Sequence, residues 1–148
     1  MATGTFDILH LGHVFFLKEA KKLGDSLTVV VAHDDTVRRL KHEPINPGHI
    51  RVGLVQELKM VDTAVLGNKG DMYGIVKEIA PDIIALGFDQ IHDVKDIQKK
   101  LKQLKISAKV TRLPEYKGDS DLEGTRRIIN KILAAYDFQK QMERLEKQ

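Results

Sequence analysis

The run GTFDILHLGH, residues 4–13, sets His10 and His13 three positions apart with Gly12 between them. Two imidazoles at that spacing fall on one side of a helical turn. Such a pair can ligate a metal, fill a core contact or stabilise an anion. A zinc site would want a third ligand at a suggestive spacing, and the chain has no cysteine and no HExxH pattern. The surroundings favour the anion. Gly4 lets the backbone leave a strand tightly, and LGH opens the amphipathic stretch VFFLKEAKKLG. Strand, turn and helix N-terminus in succession present unpaired N–H groups and the positive end of the helix dipole. His10 then precedes the helix, His13 lies in its first turn, and Gly12 lacks the side chain that would hold a phosphate off the backbone.

Such a turn needs a sheet behind it, and the rest of the chain supplies one. SLTVVVAH (26–33) is a near-continuous β-branched run, as a strand buried on both faces should be, and DTAVLG (62–67), DIIALG (82–87) and SAKVTRL (107–113) are further strands. Helical patterns lie between them at Val14 to Leu23, Asp34 to Leu40, Ile50 to Met60, Met72 to Ile79 and Val94 to Leu104. This alternation predicts an α/β fold, a Rossmann-like doubly wound parallel sheet with ligands at the carboxyl ends of its strands. The first strand is short, because only three residues precede Gly4. Either the chain starts upstream or this strand is stunted. KHEPINPGH (41–49) and PEYKGDSDLEG (114–124) carry turn formers and read as mobile loops, and Leu122 to Gln148 reads as one long, increasingly charged helix.

Composition bounds the function. A chain of 148 residues fits one domain, 1–148. A net charge of +3 is too mild to announce a nucleic-acid or membrane partner, and leaves small anionic ligands open. No apolar run approaches the ~20 residues of a membrane span, and no secretory signal opens the chain, so a cytoplasmic location is expected. Without cysteine there is no disulfide and no thiolate nucleophile.

GTFDILHLGH resembles the signature of the nucleotidyltransferases that share the HxGH motif, the cytidylyltransferase-like group, and the resemblance extends over nearly the whole chain. Within that group the pattern is most similar to the archaeal-type FAD synthases, with glycerol-3-phosphate cytidylyltransferase as a relative. The resemblance implies that His10 and His13 contact the α-phosphate of a nucleoside triphosphate and stabilise its charged transition state. It implies that Thr5, Phe6, Leu11 and Gly12 face the nucleotide, while Asp7 braces the loop. LGFDQ (86–90) ends a strand where the cytidylyltransferases carry a GDDW-like segment, which makes Asp89 and Gln90 candidates for the nucleotide or a metal-bound water. The plainer alternative for Asp89 is a cap on the following helix. Lys41 resembles a family lysine that reaches the triphosphate, and Arg51 matches an arginine after that loop and is assigned to substrate. DLEGTRRII (121–129) departs from the RTEGISTT of the cytidylyltransferases: Thr125 and Arg126 remain as a second anion site, and the leading arginine and the Ser-Thr run are gone. That departure argues against cytidine. Tyr116 could lie against a base or simply belong to its loop.

The reaction so implied is adenylyl transfer from ATP to FMN, giving FAD and pyrophosphate, with a divalent ion, Mg2+ by preference, on the phosphates. No dedicated metal cage is legible. A CTP-dependent transfer to glycerol phosphate or another phosphorylated alcohol is the alternative, and a catalytically silent nucleotide-binding module is a third reading. The sequence allows a homodimer without signalling one.

Overall fold

The computed structural model describes residues 1–40, 42–90, 92–118 and 124–146. The elements run β1 (Ala2–Gly4), α1 (Leu11–Lys21), β2 (Thr28–Val31), α2 (Asp34–Leu40), α3 (Gly48–Gln56) and β3 (Thr63–Leu66), then α4 (Met72–Ile79), β4 (Ile83–Leu86), α5 (Val94–Gln103), β5 (Lys109–Arg112) and α6 (Thr125–Leu145). The five strands form one parallel sheet in the order β3-β2-β1-β4-β5. The order reverses at β1, whose neighbours are β2 and β4. In open α/β sheets the crevice above such a reversal is where ligands bind.

Strand residues alternate between two cores, which is why the β2 run reads apolar throughout. Val29 and Val31 join Ala2, Leu17, Leu27 and Val55 on one face, under α1 and α3. Val30 joins Ile75, Ile84, Leu86, Ile97 and Leu101 on the other, under α4 and α5. Each fully buried Leu or Val here contributes about 1.5–3 kcal/mol. The short β1 is sufficient because every one of its residues pairs with β2, and Ala2 also pairs with Ala85 of β4.

Element boundaries differ from expectation for local reasons. α1 begins at Leu11 rather than Val14, because His10 has extended backbone angles and its carbonyl already accepts from His13 and Val14. α3 begins at Gly48 on Pro47, and its pattern closes in turns after Gln56. Asp71 and Asp93 cap α4 and α5, each carboxylate accepting two backbone N–H groups. α6 starts at Thr125 and buries none of its side chains; residues 122, 123, 147 and 148 of the expected helix lie outside the described residues.

Candidate functional site

The turn after β1 is shaped by one ring. Phe6 has φ of 51°, in the left-handed region that a bulky residue occupies at a cost of ~1–3 kcal/mol, and its side chain is buried. A Cβ on Gly4 would lie 2.7 Å from that ring, so only glycine lets Phe6 fold back beneath the turn. Phe6 then supports the histidines from below, with its ring centroid 5.1 Å from that of His13 in an edge contact. Its side chain belongs to the core, which leaves only its backbone to face a ligand.

His10 and His13 are stacked, 3.8 Å between centroids and 24° between planes, so the two imidazoles act as a single unit. They stand at the start of α1, a helix with no side-chain cap and no acidic residue in its first turn. The positive end of its dipole is therefore not offset from within the helix. Leu11 is exposed on the same turn.

Two buried polar residues hold this turn in place. The Asp7 carboxylate, 1% exposed, accepts the backbone N–H groups of Ile45 and Asn46 at 2.8 Å each, and Asn46 Nδ2 donates to the Asp7 carbonyl at 2.7 Å. His42 Nε2 lies 3.5 Å from the same carboxylate. Asp7 thus ties the histidine turn to the segment that follows Lys41. That segment reads as mobile from its prolines and glycine, but its second half is fastened here.

Arg51 is a correction. Expected to touch substrate, it has an exposure of 0% and directs its guanidinium inward. Nε donates to the Asn46 carbonyl, Nη1 to the Thr5 carbonyl, and Nη2 to the Ala32 carbonyl and to Asp34. These acceptors belong to three separate segments at the carboxyl end of the sheet, which Arg51 joins. Partial burial opposes charge on Asp34, but the hydrogen bonds from Arg51 and the Gly48 N–H outweigh it and hold its carboxyl below the ordinary carboxylate value.

The other candidates distribute around this centre. Gln90 Nε2 donates to the Thr3 carbonyl at 2.7 Å, which fastens the loop after β4 to β1 across the sheet reversal. Asp89 is exposed in that loop, and the cap on α5 is Asp93, so the capping alternative for Asp89 does not apply. Tyr116 packs on Phe15 of α1 at 5.3 Å between centroids. Thr125 and Arg126 open α6, whose first turn also has neither a side-chain cap nor an acidic residue. Lys41 lies outside the described residues. A surface cleft of about 420 Å³ lies among Ala80, Pro81, Ile106 and Ser107, just before β4 and β5 begin, and shares no residue with the histidine turn.

Sequence reasoning missed Arg112, Asn46 and Asp34. Arg112, at the end of β5, reaches over the loop after β4 and donates to the carbonyls of Gly87, Phe88, Gln90 and His92. No spacing signals such a contact, because its acceptors are main-chain atoms brought close only by the sheet. Among the described residues no group of three or more His, Cys, Asp or Glu could hold a metal ion, and no helix is long and apolar enough to cross a membrane.

Comparison with known proteins places this geometry in context. A family model described as cytidylyltransferase-like matches residues 1–141. The FAD synthase of Aciduliprofundum boonei is 58% identical over 137 residues, covering 93% of this chain and 91% of that protein. The FAD synthase of Thermoplasma volcanium is 49% identical over 133 residues, covering 90% and 92%. A crystal structure described as the lipopolysaccharide core biosynthesis protein from Thermoplasma volcanium superposes with a TM-score of 0.78 at 52% identity, over 79% of this chain and 96% of that one.

Proposed function

The chain belongs to the cytidylyltransferase-like family, and on that premise we propose that it is an FAD synthase that transfers AMP from ATP to FMN. The stacked pair His10 and His13 at an uncapped helix start carries the reading. Relatives that share about half or more of its residues and bear the name FAD synthase support the substrate assignment over the CTP-dependent alternative.

An oxygen of the FMN phosphate attacks the α-phosphorus of ATP in line, a new P–O bond forms, and the bond to the β-phosphate oxygen breaks with its electron pair leaving on pyrophosphate. The attacking group is itself a phosphate, so the protein needs no nucleophile of its own. Its part is alignment and stabilisation of negative charge. His10 and His13 donate toward the α-phosphate oxygens, where charge builds in the transition state. The N–H groups of the first turn of α1 add fixed positive potential. Thr125 and Arg126 receive the outgoing phosphates at a second helix start, and Lys41 serves the same triphosphate. Asp7 and Arg51 keep the turn and the adjoining segments in register without touching substrate.

A divalent cation, Mg2+ in this reading, would offset charge on the leaving pyrophosphate. The residues fit a cation carried on the phosphates rather than one caged by protein, since Mg2+ commonly takes one or two carboxylates beside substrate oxygens and Asp89 is exposed at the sheet reversal. A cytoplasmic setting accords with the substrates. The exposed Ile132, Leu133, Tyr136 and Phe138 of α6 are the surface a homodimer would use.

Side-by-side turnover tests the assignment. Pyrophosphate release with ATP plus FMN should exceed release with CTP plus glycerol phosphate at matched concentrations, and the reverse order would move the assignment to the cytidylyl alternative.

A further inference from the structure

We propose that Arg112 is a positioning residue that shapes the loop Gly87–Gln90 into a main-chain reader of the nucleoside, so that nucleotide recognition there rests on backbone N–H groups rather than on a side-chain motif. The inference rests on the adenylyl-transfer reading and deepens it.

Arg112 lies opposite Leu86 in the parallel register of β4 and β5, so its side chain starts level with the point where β4 ends. From there Nη1 donates to the carbonyls of Gly87 at 2.7 Å, Phe88 at 3.2 Å and Gln90 at 2.9 Å, and Nη2 donates to that of His92. A guanidinium offers a rigid fork of donors, and four carbonyls gathered on one fork fix the path of the loop that carries them. The other side of the loop is held by Gln90, through its bond to Thr3 of β1. The loop is thus pinned to β5 and to β1 while it spans the reversal between them.

Peptide planarity adds a consequence. In a trans peptide the N–H of one residue points opposite to the carbonyl of the residue before it. Turning the Gly87 and Phe88 carbonyls onto Arg112 therefore turns the Phe88 and Asp89 N–H groups away from it. Neither donates to another described residue. Two adjacent main-chain donors on a fixed loop are suited to the acceptor atoms on the edge of a base or on a ribose. Gly87 contributes room: a Cβ there would lie 3.3 Å from Asp89 Oδ1, so the Asp89 carboxylate leans back over it. Neither Arg112 nor His92 belongs to a recognisable motif, and a main-chain reader leaves none in sequence.

The test uses Arg112→Ala and Arg112→Lys in the full chain. Hydrogen exchange of the Gln90 amide, which donates to the Gly87 carbonyl, is measured without ligand, and KM for ATP and kcat are measured with FMN and Mg2+. For Arg112→Ala this amide should exchange faster and KM for ATP should rise at least about tenfold, equivalent to about 1.4 kcal/mol. The kcat at saturating ATP should stay within about threefold, since the groups that meet transition-state charge are untouched. Arg112→Lys, with one point of charge in place of a fork, should recover only part of the loss, and it gives the same readings at smaller size if the alanine variant fails to fold. Unchanged exchange would show that Arg112 does not shape the loop. Faster exchange with unchanged KM would show that the loop does not read the nucleotide. Either result overturns the proposal. A wild-type protein that binds no ATP analogue would instead overturn the adenylyl-transfer reading beneath it.

Discussion

Replacing Asp7 with alanine should loosen one defined segment and lower the stability of the whole chain. The carboxylate accepts the N–H groups of Ile45 and Asn46 at 2.8 Å each, from a position 1% exposed. Its removal leaves two donors without a partner, each at a cost of ~1–3 kcal/mol when water cannot replace the acceptor. The Ile45 side chain is 61% exposed, so water reaches part of this segment and the low end of the summed range applies, about 2–3 kcal/mol. At about 2–4 °C per kcal/mol for a chain of this size, Tm should fall by about 4–12 °C. Calorimetry gives that figure, and hydrogen exchange localises it: the Ile45 and Asn46 amides should be protected in the wild type without ligand and lose protection in the variant. Asp7→Asn should fall between, because its amide keeps one acceptor and turns an N–H group toward the other donor. A Tm within about 1 °C of wild type, with protection at Ile45 and Asn46 unchanged, would refute the reasoning, since a loss of even one such bond costs more than that.

His10→Ala and His13→Ala should each lower kcat at least ~100-fold with much smaller effects on ATP binding, because one preorganised donor to transition-state charge is worth about 2.7–4 kcal/mol; steady-state kinetics beside equilibrium ATP binding checks this, and equal losses in both would mark a ground-state contact only. Asp34 has a folded-state pKa held below its ordinary value, chiefly by Arg51, so its contribution to stability is present above the unfolded value of 3.8 and is lost as pH falls through the folded value. Denaturant titrations of wild type and Asp34→Asn should therefore differ most near neutral pH and converge under acid, and a gap that widens on acidification would contradict the assignment.

How much was readable in the sequence depends on the range over which each signal acts. The histidine turn was legible because its logic is local: a glycine, a short spacing and a helix start within ten residues. The sheet was legible because β-branched runs alternate with helical periods, and the two-sided burial of Val29, Val30 and Val31 is what makes β2 apolar throughout. Arg51 was misread for the opposite reason. An arginine beside a phosphate site reads as a ligand for phosphate, and nothing nearby in sequence shows that Thr5, Ala32, Asp34 and Asn46 converge on it in the folded chain. The segment after Lys41 was read as loose from its prolines, whereas its anchor, Asp7, lies 38 residues before Ile45. Arg112 escaped notice because its four acceptors are carbonyls, which every residue carries.

The central claim is adenylyl transfer at the His10 and His13 pair, and the fate of each phosphorus of ATP tests it most directly. The purified chain is incubated with FMN, Mg2+ and ATP labelled either at the α- or at the γ-phosphorus, and the flavin product is separated from the phosphates. The account predicts that the α label appears in a flavin dinucleotide, that the γ label appears only in pyrophosphate, and that both transfers collapse together in His10→Ala and His13→Ala. A γ label on the flavin, an α label recovered only as AMP or ADP, or full transfer by both folded histidine variants would contradict it.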